Sequence, residues 1–412
     1  SLKISNNFSL MSGASIDTAT YNITISGTVF LDEDAFWGNY ATQGGTKTIG
    51  ALVIGESAYF KAPTGSLTIN SNNGGARAFK MATSPAGTFA HNNGTVVISD
   101  PVSGLGNIGG NDSDTITFYN LIIEGDNKET RDVPLLDVVN DLTIDSGLNF
   151  GPEGSDGAIN VSGTALVSGT LDLNQGAGAN HIFGALIIEG VYNATAGETK
   201  LYGKTGVTYQ QTGTFTHNDG LFWVSGGTQQ MKWGDTLHGP FYDLKSDGSG
   251  NEFRGKALDI ENSFIIASGY VAPSYNGTTG KVWTLGTATS SAYISGTAAE
   301  PIKVHDSHSP YHFVIQASSS LFPAELKGYE WDWCGFGVTA QSIKFGGVDC
   351  QFDIETDNGG TVANTFKIID QCEFDAVNID ENTIFDCSGQ RVTFGGGQLY
   401  VDTGSTLLVD DS

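Results

Sequence analysis

The octet YEWDWCGF, residues 329–336, concentrates the side chains best suited to recognising a sugar. In an extended segment alternate residues face opposite ways, so Tyr329, Trp331 and Trp333 share one side and Glu330 and Asp332 the other. Exposed aromatic rings stack on sugar rings, while carboxylates bind their hydroxyls. The competing use of Trp331 and Trp333 is to fill or cap a core, where large aromatic rings contribute most. Hydrolysis would need two carboxyl groups at a fixed separation, about 5 Å for retention or about 6.5–9.5 Å for inversion. Nothing in the sequence pins two carboxylates to such a gap, and no catalytic residue is assigned.

Three further groups of residues invite a chemical reading. HDSHSPYHF brings His305, His308 and His312 close to Asp306, but only a helix would converge His308 with His312, and Ser309-Pro310 opposes one. A surface loop is expected there and no metal site. The acidic stretches GNDSDT (110–115), DGSGNE (247–252) and ETDNGG (355–360) offer oxygen ligands suited to calcium, yet none has an established calcium-loop spacing, so no cofactor is expected beyond that cation. The four cysteines, Cys334, Cys350, Cys372 and Cys387, lack the close CxxC pairs of a zinc site. Similar text surrounds three of them, VDCQFDI, IDQCEFDAV and IFDCSGQ, which predicts equivalent positions for Cys350, Cys372 and Cys387 on successive coils. Strands stack about 4.8 Å apart, so this column is either disulfide-linked or a ladder of buried thiols.

The elements that would position these groups are written more than once. GTFAHNNG at 87–94 returns as GTFTHNDG at 213–220. GALVIGESAYFKAPTGSLTI from Gly50 returns as GALIIEGVYNATAGETKLY from Gly184, and NDLTIDSG from Asn140 returns as NSFIIASG from Asn262. The offset between copies drifts from one phrase to the next, which means one scaffold with loops of changing length. The chain divides accordingly into a block over 1–133, a second over 134–255, a third repeat start over 256–325 that diverges after about Gly269, and a Cys- and Trp-containing region over 326–412.

Alternation such as YNITISG, which sets Tyr21, Ile23 and Ile25 against Asn22, Thr24 and Ser26, predicts short strands with one buried face. Gly, Asn and Asp close them because these residues tolerate positive φ. Each His-Asn-(Asn/Asp)-Gly octet is expected to end a strand in such a corner, which makes His91 and His217 structural. The expected fold is all-β, an elongated β-solenoid or parallel β-helix built from a duplicated block of about 125 residues, in which each coil buries its apolar face against its neighbours. Tandem β-sandwiches are the rival, since blocks of this size also suit them.

The phrases YQQTGTFTHNDG, GALIIEGVYNATAGETKLYG, VSGTALVSGTLDLN and TFYNLIIEG resemble the Gly/Thr/Asn-rich repeats of structural proteins of marine tailed bacteriophages, and of some large bacterial surface proteins. The resemblance implies a virion-surface or extracellular structural protein, a fibre, spike or capsid-surface component that touches a host glycan and other virion or surface-layer proteins. It also implies a homo-oligomer, a trimer in the usual fibre, and transfers no catalytic residue. A bacterial or archaeal cell-surface array or adhesin, and a polysaccharide depolymerase acting through Glu330 and Asp332, are the alternatives.

Charge narrows the partners. With 45 acidic and 19 basic residues the net charge is −26, which disfavours nucleic acid. No apolar stretch approaches the roughly 20 residues that a membrane-spanning helix needs, so no membrane span is expected. No Gly-rich phosphate loop or nucleophile elbow is present. Ser1 is not an initiator Met, and no basic, apolar leader follows it, so the chain is either processed or begins inside a longer product.

Overall fold

A computed structural model describes backbone and side chains over most of residues 1–251. The same holds for residues 260 and 261, for Phe385, Cys387 and Arg391, and for residues 399–409; of the rest, it describes only the backbone of the strands named below. Every element it assigns is a β-strand, and the strands pair in parallel. The chain is thus a parallel β-solenoid, and tandem sandwiches, which need antiparallel sheets, are excluded. It divides into two compact units, Ser1–Thr199 with Gly213–Asn218, and Lys200–Thr212 with Asp219–Ser412.

In the first unit the strand Ile23–Leu31 pairs with Lys47–Ile54, which pairs with Ser66–Ile69, which pairs with Thr95–Asp100, and that with Asn120–Gly125. Period-two patterning becomes columns once the coils stack: Ile49 lies beside Ile69, Leu67 beside Val96, Val96 beside Leu121, and all of these are buried. Tyr21 departs from the expected pattern. The strand begins only at Ile23, the Tyr21 amide donates to the Thr18 carbonyl at 3.0 Å in a turn, and the ring is 67 % exposed.

A second ladder, Ser15–Ile16, Phe36–Trp37, Tyr59–Lys61 and Thr88–Ala90, stacks aromatic rings inside the coil. Trp37 lies 5.4 Å from Phe60 at 24°, and Phe60 lies 5.9 Å from Phe89 at 7°. The second block repeats the arrangement, with Tyr192 stacked on Phe215 at 5.8 Å and 12°. Tyr192 corresponds to Phe60 and Thr199 to Leu67, both pairs at the same offset along the chain. Both changes add a hydroxyl, and the two hydroxyls hydrogen-bond each other at 2.7 Å inside the core. Burial raises the pKa of the Tyr192 phenol above its ordinary value, so it stays neutral and the bond needs no charged partner.

Close stacking of backbone requires glycine at one corner. Gly169, Gly190 and Gly213 occupy it on successive coils, and a Cβ on Gly190 would lie 2.0 Å from the Gly169 carbonyl oxygen.

In the second unit Leu221–Ser225 pairs with Phe241–Asp247, which pairs with Ala257–Ser268, then Lys281–Leu285 and Phe313–Gln316. Tyr209, Phe222 and Phe241 pack together in its core. Parallel pairing continues to Leu399–Val401 and Thr406–Leu408, past the point where the written repeat fades.

Candidate functional site

The C-terminal aromatic segment can be placed by its backbone. Glu330–Cys334 pairs with Gln351–Glu355, and that strand with Ala376–Ile379. Register sets Trp331 in line with Phe352 and Val377, and Trp333 with Ile354 and Ile379, so both tryptophan columns are apolar in sequence. Asp332 lines up with Asp353 and Asn378, and Glu330 with Gln351 and Ala376. Tyr329 and the side chains of Glu330, Trp331, Asp332 and Trp333 lie outside the described residues.

Among the cysteines, Cys372 opens the strand Cys372–Phe374 and stands opposite Val392. Cys387 follows Thr383–Asp386, a strand of a different ladder; it is buried, and its amide donates to the Leu408 carbonyl at 2.9 Å. Cys372 and Cys387 therefore sit on different ladders, which the similar text around them concealed. Cys350 lies outside the described residues, as do His305, His308, His312 and the middles of the three acidic loops. Among the described residues no cluster of three or more His, Cys, Asp or Glu is arranged to hold a metal, and no helix is long and apolar enough to cross a membrane.

The repeated octets are structural corners. Asn92 and Asn93 have φ of 49° and 56°, Asn218 and Asp219 of 48° and 60°, the left-handed region that short polar side chains tolerate. The Asn92 amide donates to the Ala62 carbonyl at 3.1 Å and the Asn218 amide to the Ala194 carbonyl at 2.8 Å, tying each corner to the neighbouring coil. His91 stacks on Tyr119 at 5.7 Å, and its Nδ1 accepts the Asn93 amide at 3.1 Å.

Two buried ionisable groups share one coil position. Lys47 and His181 open equivalent strands of the two blocks, at 1 % and 0 % exposure. The Lys47 ammonium donates to the carbonyls of Tyr21 and Gly44; burial lowers its pKa, against the opposing attraction of Asp17. His181 Nδ1 accepts the Ile159 amide at 3.0 Å, so the proton of the neutral ring sits on Nε2, which has no hydrogen-bond partner among the described residues.

Burial holds the His181 pKa down at about 4, against 6.5 for an exposed imidazole. The unfolded chain binds a proton as pH falls through 6.5 and the folded chain does not until about 4. Stability is therefore complete above 6.5 and lost progressively below it, by about 2 kcal/mol at pH 5 and roughly 3 kcal/mol in total. Thermal melting from pH 7.5 to 4.5 should fall more steeply for the native chain than for His181→Gln. Parallel curves would contradict a neutral, buried His181.

The outer face is where the two blocks part. In the first, Val97 lies in register between Thr68 and Ile122. The matching positions of the second block are Lys200, Trp223 and Lys245, with Trp223 in register with Lys245. The Lys200 ammonium lies 3.4 Å from the centre of the Trp223 indole and 5.4 Å from that of Tyr202; the Lys245 ammonium lies 3.9 Å from the indole centre. Tyr202 is 58 % exposed. Three segments, each one coil further along the chain, thus meet in one cationic, aromatic row. A search for residues recurring at the length of one coil would have found it.

No protein-family model matches the chain, and neither the curated proteins nor the solved structures contain a match to it.

Proposed function

We propose that this chain is a non-catalytic structural and adhesive protein of a virion surface, a fibre, spike or capsid-surface component, whose stacked coils present outer-face side chains to a host glycan. The observation that carries this reading is the division of labour between the blocks. Inward positions keep their packing, as in Phe60–Phe89 against Tyr192–Phe215, while an outward row changes from Thr68, Val97 and Ile122 to Lys200, Trp223 and Lys245. A scaffold retained beneath a changed face is the pattern of a support that displays contacts.

Electron microscopy of the native assembly with a labelled antibody to the chain tests this. Label on the outside of phage particles is the expected result. Label on a cell envelope in the absence of particles would replace it with the surface-array reading. Light scattering of the purified chain should give three times the mass of one copy, the stoichiometry that fibres of the resembling kind adopt.

A further inference from the structure

We propose that Lys200, Trp223, Lys245 and Tyr202 form a binding subsite for an acidic sugar of a hydroxyl-rich anionic polysaccharide. Two ammonium groups are brought against one indole, and each ring contact is individually weak at a surface. The indole stands between the two ammonium groups, whose like charges are left uncompensated, so an anion at the solvent side of the row is attracted by both. In a chain with 45 acidic and 19 basic residues such cations would ordinarily face carboxylates. Among the described residues neither Lys200 nor Lys245 has a carboxylate partner; their recorded contacts are the rings of Trp223 and Tyr202.

The surroundings select the ligand. Strand alternation places Lys200 and Tyr202 on one outer face, and Asp243, Lys245 and Asp247 on the same face two coils along. Asp243 and Asp247, on either side of Lys245, can accept hydrogen bonds from hydroxyls and repel closely spaced anions. That combination fits a sugar bearing one acid group among hydroxyls, and it opposes a nucleic acid with its dense run of phosphates. Tyr202 lies two residues from Lys200, about 7 Å along the strand, and the row from Lys200 to Lys245 spans two coil spacings, about 10 Å. A sugar ring stacked on the exposed face of Tyr202 can therefore place its acid group at the Lys200 ammonium, with Lys245 further along the same row. The first block, with Thr68, Val97 and Ile122 at the matching positions, has no such pair of cations.

Affinity electrophoresis of the whole chain in gels containing polygalacturonate, sparsely substituted dextran sulfate, neutral dextran or duplex DNA tests the assignment. Retardation by polygalacturonate alone identifies a carboxylated sugar, by dextran sulfate alone a sulfated one, and by both a site that reads charge without distinguishing the acid. Lys200→Gln with Lys245→Gln should weaken that binding about ten-fold or more. Tyr202→Ala should weaken it several-fold, and both variants should keep the melting temperature of the parent, since the side chains lie on the outer face. No retardation by either acidic polymer, equal retardation by neutral dextran, stronger retardation by DNA, or full binding by the double lysine variant would each overturn the proposal. The surface reading above enters only in the choice of polymers. Failure of binding would leave the microscopy result standing, and the reverse also holds.

Discussion

Gly190→Ala should be among the most damaging single substitutions in the chain, at more than about 4 kcal/mol of stability. The added methyl carbon would stand 2.0 Å from the Gly169 carbonyl oxygen, and the atom it meets is backbone, which cannot rotate aside. Relief requires the two coils to separate, and their separation is set by the hydrogen bonds between them; the Val191 amide reaches the Gly169 carbonyl at 2.8 Å. Gly147 is the control. Its φ is +81°, and a methyl carbon there would have nothing within 4 Å, so Gly147→Ala meets only the backbone strain. The left-handed penalty is about 1–2 kcal/mol. Denaturant unfolding of the two variants should separate them clearly. Similar losses would mean that the coils do not approach as closely as described.

Trp37→Ala is the second large effect. The indole is 1 % exposed, packed edge-on against Phe8 at 5.8 Å and stacked on Phe60 at 5.4 Å. Its removal leaves a cavity in the aromatic column and should cost about 3–5 kcal/mol. The indole Nε1 has no hydrogen-bond partner among the described residues, so Trp37→Phe also removes a buried, unsatisfied donor and should be markedly milder than the alanine change. A solenoid is stabilised by nearest neighbours, so loss of amide-exchange protection in Trp37→Ala should centre on Ser15–Ile16 and Tyr59–Lys61, the two strands paired with Phe36–Trp37. Protection lost evenly across the chain, or equal costs for the two substitutions, would count against this account.

Much of the fold was legible because stacked coils write themselves twice. Inward positions repeat at period two, and corners repeat because left-handed backbone admits few residues, as at Asn92 and Asn218. Positions settled by register were harder to read. Lys47 looks like a surface residue until its strand is placed beside Ile23 and its ammonium against two carbonyls. Tyr21 looks like part of a strand that begins two residues later. Cys372 and Cys387 look equivalent because their flanking text is similar, although their strands belong to separate ladders. Parallel pairing outlasts the written repeat because it rests on backbone groups common to all residues except proline. The cationic row escaped the sequence reading for a related reason: Lys200, Trp223 and Lys245 are unremarkable singly and become neighbours only when successive coils are stacked.

The Tyr192–Thr199 pair bears on which exchanges between the two copies the fold can tolerate. Long tandem copies invite unequal crossing-over, which deletes or adds a unit and leaves a chimera at the junction. A chimera that joined Tyr192 to the leucine of the other copy would bury a phenol with no acceptor, at a cost of about 1–3 kcal/mol. Only an exchange that falls between these two positions carries this cost; one that falls elsewhere carries the matched pair over intact.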